Sequence, residues 1–353
     1  MWNDARGNRP TVTTLALVGS AALWLLGAVP TARASDPAFS AEERRRLAQI
    51  TPLPAEGELT AARIAGVTFA TISPKKLPDF GEADCRALGR LPKLSDVTLD
   101  DLPLSAACVD ALPRTSMSLR LVGVGFAPDT LAALGRMPGL ANLRIEGGKG
   151  LTARLVDAVP PTSRLVRLTA GEVDGETLTA LRRLPRLTEL EIERSVGGQG
   201  LAPLEGAPDL ERLVVGTVTG ADLAVIAGLP KLSELSIGVD AGVGEGGLRL
   251  LATSKTLKTV SLSFEAGAAG VGVLAEMPHL EHLRLVYQTV PDRELERLAR
   301  SRTLTALDLR EAEVTEAGLA SLLKSGSLKS VNLWRVSVSD KLRRRLAKKF
   351  QLE

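Results

Sequence analysis

Leu304-Thr305-Ala306-Leu307-Asp308-Leu309-Arg310-Glu311-Ala312-Glu313-Val314-Thr315-Glu316-Ala317-Gly318-Leu319 carries two periodicities in one short stretch. Leu307 and Leu309 stand two apart, a spacing that sends both side chains to one face of a β-strand and leaves Ala306 and Asp308 on the other. Leu319, followed by Leu322 and Leu323, has the three- and four-residue spacing of a buried helix face. One short strand and one short helix cannot bury their apolar sides alone. The segment therefore predicts neighbours of its own kind, stacked against it.

Those neighbours are present. The form L-x-x-L-x-L recurs at Leu94/Val97/Leu99, Leu140/Leu143/Ile145, Leu187/Leu190/Ile192, Leu210/Leu213/Val215 and Leu232/Leu235/Ile237. It continues at Leu257/Val260/Leu262, Leu280/Leu283/Leu285, Leu304/Leu307/Leu309 and Leu328/Val331/Leu333, and weaker copies at Ser116/Leu119/Leu121 and Leu165/Leu168/Ala170 fill the gaps. First positions follow one another at 22 to 25 residues. An irregular copy is expected at Ile64/Val67/Phe69, since terminal repeats must cap the stack and are atypical. The pattern predicts an α/β solenoid: a parallel sheet lining the concave face of a horseshoe or arc, with helices on the convex face.

These residues resemble the leucine-rich-repeat superfamily over about residues 60–350. Repeat length and the helical second half are most similar to the ribonuclease-inhibitor-like class, and among those to bacterial repeats of the form L-x-x-L-x-L-x-x-x-x-V-T-x-x-G-L. The resemblance implies macromolecular recognition, and, by analogy of fold alone, enzyme inhibition. One departure stands out. The usual Asn or Cys three residues past the third anchor is replaced by Leu102, Gly148, Ser195, Val218, Asp240, Gln288, Ala312 and Val336.

The chain divides into four parts. Arg6 and Arg9 precede an apolar run from Leu15 to Val29, and Ala32-Arg33-Ala34 has the small-x-small form of a signal-peptidase site, so residues 1–34 read as a signal peptide. The expected location is secreted or periplasmic; the alternative is an anchor left uncleaved. Losing Arg6, Arg9, Arg33 and Asp4 lowers the net charge from +3 by two, to +1. So small a charge gives no reason to expect nucleic acid as a partner. Residues 35–63 are expected to form an N-terminal cap, opened by a capping box of Ser40 and Glu43. About 12 repeats over 64–340 and a basic capping helix over 341–353 complete the chain. In that tail Leu342, Leu346 and Phe350 share one helical face, and the charged face from Lys341 to Phe350 either meets water or is drawn to an anionic membrane surface.

Candidate chemistry is sparse. The two histidines, His279 and His282, fall at a turn and on a strand rather than on one helix face, which argues against a metal site. No phosphate loop or nucleophile elbow occurs, so no enzyme activity, cofactor or small-molecule substrate is expected. Cys85 and Cys108 lie one repeat apart, and two readings stand: a disulfide between adjacent coils, or two small buried thiols.

Recognition has more support. Aromatic residues make up only 3% of the chain, yet Phe264, Tyr287 and Trp334 gather near Arg284, Asp308, Arg310 and Asn332 at outward positions of the last repeats. Aromatic and Arg side chains anchor most interfaces. Here a protein partner is expected. The first outward row also alternates Arg167, Glu189, Arg212 and Glu234, which predicts self-neutralisation, while Glu191 and Glu193 extend Glu189 into a secondary acidic patch. The alternative function is an envelope-associated scaffold held by the basic tail.

Overall fold

The computed structural model describes residues 39–51 and 61–352, apart from 103, 115–116, 124–126, 138, 147–152, 159–166, 172, 185, 194–199, 241–242 and 264–269. The signal peptide expected over 1–34 lies outside them, as does Phe264. No described helix is long and apolar enough to cross a membrane.

The repeats become thirteen strands. β1 to β6 are Phe69–Ile72, Asp96–Asp100, Met117–Val122, Leu140–Glu146, Arg167–Ala170 and Glu189–Ile192. β7 to β13 are Arg212–Val218, Glu234–Asp240, Thr259–Leu262, His282–Leu285, Ala306–Asp308, Ser330–Asn332 and Gln351–Leu352. Every strand pairs in parallel with the next in chain order, so the sheet never doubles back. Helical segments sit in the connections, and their apolar sides join the inward anchors in one continuous core. Strands stack at about 4.8 Å, while helices pack at roughly 8–10 Å.

Register follows the repeat closely. Val97, Leu119, Leu143, Leu168, Leu190 and Leu213 are successive Cα partners and all are buried. The first copy departs from expectation. Ala70 and Ile72 pair with Val97 and Leu99 and point inward, whereas Phe69 faces out, 47% exposed. Its triplet is thus Val67/Ala70/Ile72. An alanine anchor hides the repeat, and the larger apolar Phe69 draws the reading three residues early.

Five of the described turns after strands manage without the Asn or Cys in one way. Asp101, Tyr287, Glu311 and Arg335 all adopt left-handed backbone, with φ of 50°, 60°, 54° and 56°, and Gly123 does the same. Their amides bond across coils: Asp101 N–H to the Val122 carbonyl at 2.9 Å and Glu311 N–H to that of Trp334 at 3.0 Å. Main chain thus replaces the side-chain ladder, which frees the next position to be apolar. Leu102, Ala312 and Val336 are buried there, while Val218 is buried at the end of β7 without such a turn before it. Gln288 is the exception that still bonds, its Nε2 donating to the Leu262 carbonyl at 2.7 Å.

On the helical side, carboxylates tie coil to coil. Asp222 accepts from Leu201 N–H of the preceding coil at 2.6 Å and from Thr219 N–H at 2.8 Å. Glu294, 1% exposed, accepts from Gly272 N–H at 2.7 Å. Both glycines facing these carboxylates, Gly200 and Gly272, lie where a Cβ would overlap a carboxylate oxygen.

A helix packs against the core near each end of the described sheet. Ser40 opens the helix Ala41–Ile50: its Oγ accepts from Glu43 N–H at 3.1 Å, and Glu43 returns the bond to Ser40 N–H at 2.7 Å. Arg46 of that helix clamps Asp84 and Asp79, and these bonds hold the guanidinium above its ordinary range and Asp79 below the usual carboxylate range. Cys85 and Cys108 form a disulfide between neighbouring helices, Cα to Cα 5.2 Å. Small residues permit that approach: a Cβ on Gly89 would overlap the Ala111 carbonyl of the next helix. At the other end, Leu342 and Leu346 are buried on the helix as the spacing predicts, and Phe350 is buried just past its end. That helix, Asp340–Ala347, ends sooner than expected, because the chain beyond it pairs as β13 with β12.

Candidate functional site

Strand alternation leaves two outward rows on the sheet. One runs from Asp96 through Arg167, Glu189, Arg212, Glu234, Thr259, His282 and Ala306 to Ser330 as successive Cα partners. The other, two residues on, includes Glu191, Ser236, Ser261, Arg284, Asp308 and Asn332.

In the middle of the sheet the charges meet one another. Arg167 Nε bonds Glu189 at 2.6 Å and Arg212 bonds Glu234 at 3.0 Å. Arg144 reaches Glu193 at 2.5 Å, and the Thr169 hydroxyl donates to Glu191 at 3.3 Å. Two of the three carboxylates in the acidic patch therefore face a guanidinium, so little net field remains there.

Toward the C-terminus the sheet is hollowed. A depression of about 370 Å³ lies over β7 to β12. Its floor is low because Ser236, Thr259, Ser261, Ala306 and Ser330 are small. The Arg212–Glu234 pair stands on one side and Arg284, Asp308 and Asn332 on the other. His282 also borders it, with Nδ1 3.4 Å from the Thr259 hydroxyl. Asp308 is only 17% exposed and holds two guanidiniums, Arg284 Nε at 2.9 Å and Arg310 Nε at 3.0 Å. One carboxylate against two cations leaves a positive charge at this edge.

The remaining expected residues lie past the strand ends, outside the lining of the depression. Arg310 and Trp334 follow the ends of β11 and β12 rather than lying within them. Tyr287 is 62% exposed and Trp334 50%. The Arg335 guanidinium lies 4.2 Å from the centroid of the Trp334 ring, and the Trp334 amide donates to Asn332 Oδ1 at 3.0 Å. Glu311 and Arg335 share Tyr287's left-handed backbone, so that conformation belongs to the turn and not to a special role of the tyrosine. His279 is exposed in the turn before β10, and no group of metal-ligating side chains occurs among the described residues.

Sequence reasoning missed the floor of the depression. Its signal was a run of serine, threonine and alanine at outward positions of adjacent strands, legible only once the rows are aligned. The surface offers hydroxyls, an amide, an imidazole and paired charges, with Tyr287 and Trp334 exposed just past its strands.

No protein-family profile matches the chain, and no curated protein matches it in sequence. Solved structures do match. An internalin, InlF of Listeria monocytogenes, is 21% identical with a TM-score of 0.44, over 69% of this chain and 69% of that one. A chain of the mouse RP105/MD-1 complex is 16% identical with a TM-score of 0.48, over 76% of this chain and 51% of that one. A chain of the yeast Rad7 and Elc1 complex is 16% identical with a TM-score of 0.46, over 80% of this chain and 73% of that one. Similarity at this level carries nothing about partners or activity. The chain's own repeat and its thirteen parallel strands in sequence order make the fold a leucine-rich-repeat solenoid.

Proposed function

We propose that the chain is an exported, non-catalytic recognition module that binds a protein partner on the outward sheet face, centred on the depression over β7 to β12. The observation that carries this reading is a hollow with a small-residue floor whose lining residues Asp308 and Asn332 bond Arg310 and the Trp334 amide, with Tyr287 and Trp334 exposed just past the strands. A partner side chain can enter the hollow while the aromatics exclude water around it, the arrangement found at interface hot spots. The excess guanidinium around Asp308 favours an acidic group on the partner. Phe264, outside the described residues, is proposed for the same surface from its place in the repeat.

Export rests on the apolar run and Ala32-Arg33-Ala34. The Cys85–Cys108 disulfide is in keeping with it, since such bonds persist in oxidising compartments. Intact-mass analysis of protein recovered from the medium or periplasm tests this directly. A chain beginning at Ser35 supports cleavage; one retaining residues 1–34 contradicts it.

The binding reading is tested by cross-linking the tagged protein in its native compartment. A partner captured by the wild type and lost with Trp334→Ala and with Arg284→Glu supports it. Undiminished capture by both variants would move the site elsewhere.

A further inference from the structure

A second hollow, about 530 Å³, lies away from the sheet between the helix-to-strand turns of two successive C-terminal coils. Three exposed cations line it: Arg300, Arg302 and Lys324. None forms an ion pair among the described residues, and Glu296 is the one carboxylate in the lining. This differs from the middle of the sheet, where Arg144, Arg167 and Arg212 each meet a carboxylate. Outside the lining, Lys349 Nζ donates to the carbonyl of Leu323, next to Lys324, at 2.6 Å.

The hydroxyls beneath are already committed. Ser321 Oγ donates to the Gly318 carbonyl at 2.6 Å and Ser327 Oγ to that of Ser301 at 2.7 Å. Recognition of a ligand would thus fall to the charged side chains. Cations near helix C-termini are also favoured by the helix dipole. That accounts for Arg300 and Lys324, one past and one within the last helical turn, but not for Arg302 in the turn beyond.

We propose that this hollow binds a phosphate-class anion, a phosphate or sulfate group held by Arg300, Arg302 and Lys324. Guanidinium and ammonium donors suit such oxygens, and Arg can engage two at once. The volume falls in the range of small-molecule sites, about 300–1,000 Å³, so it admits the group together with the glycerol or sugar that carries it. The site is independent of the sheet-face reading.

The test uses the full chain with signal removed by the host, at low ionic strength. Inorganic pyrophosphate is titrated by calorimetry, and vesicles of phosphatidylglycerol in phosphatidylcholine are sedimented with the protein. The triple variant Arg300→Gln, Arg302→Gln, Lys324→Gln is compared with Arg343→Gln, Arg344→Gln, Arg345→Gln, which removes equal charge from the tail; thermal unfolding checks both. Affinity about tenfold or more weaker in the first variant and retained in the second is expected. Pyrophosphate binding identifies a free anion as sufficient, and vesicle binding alone identifies a headgroup. No binding to either probe, or equal loss in both variants, overturns the proposal.

Discussion

Arg284 of β10 and Asp308 of β11 are direct Cα partners across the sheet, and their side chains meet at 2.9 Å. The same carboxylate receives the Arg310 guanidinium and the Arg310 amide, at 3.0 and 3.1 Å. Asp308 therefore orients Arg284, which lines the depression, and Arg310 beside it, and its removal would leave two like charges facing each other.

Asp308→Ala is expected to lower stability by about 1 kcal/mol, because the bonds lost are partly exposed and partly screened. Urea unfolding measures it. A change within error would mean that the arginines are held by something other than this carboxylate.

The disulfide contributes through the unfolded state. Replacing both Cys85 and Cys108 by Ser should cost about 3 kcal/mol, read by guanidinium unfolding. Alkylation of the unfolded, unreduced protein should add no mass. Gly89→Ala, which places a methyl against the Ala111 carbonyl, should cost about 1–3 kcal/mol with the disulfide intact. Two alkylated thiols in the unreduced chain would contradict the first part of this account.

Much of the architecture is legible in the residue pattern, for a definite reason. Strand anchors repeat at fixed spacing, so a parallel sheet forces residues such as Arg284 and Asp308, one repeat apart, to become neighbours. Legibility fails where a residue type hides its role. Ala70 does not announce an anchor, and Phe69 does so falsely. The left-handed turns at Tyr287, Glu311 and Arg335 carry no glycine, and the main-chain bonds that replace the Asn ladder leave no residue signature at all. The depression is defined by side chains that are short, so no single residue in its floor draws the eye.

Asp222 holds two coils by accepting from Leu201 and Thr219 amides. Asp222→Ala strands a buried N–H and should cost about 2–3 kcal/mol by chemical unfolding. Hydrogen exchange should rise first around Leu201 and Thr219. Uniform protection in the variant would show that the coils are joined elsewhere.

Acid should loosen the N-terminal cap. Bonding from the Ser40 amide and hydroxyl, together with Arg90, draws the Glu43 carboxyl below its ordinary 4.5, and Arg46 draws Asp79 below 3.8. A carboxylate whose folded value is depressed stabilises the fold fully above its unfolded value and loses that contribution as pH falls through the folded one. Midpoint temperature should therefore fall as pH drops below about 4.5, less steeply in Glu43→Gln, which lacks one of the titrating groups. An identical acid slope in the variant would remove Glu43 from the explanation.

The central claim is that a protein partner docks on the sheet depression and the aromatics just past its strands. Once cross-linking has identified the partner, its affinity for the wild type, Trp334→Ala, Arg284→Glu and the Arg300/Arg302/Lys324 variant is the most direct measurement. The account predicts at least about a tenfold loss for the first two substitutions and none for the third. Full affinity in both Trp334→Ala and Arg284→Glu would contradict it.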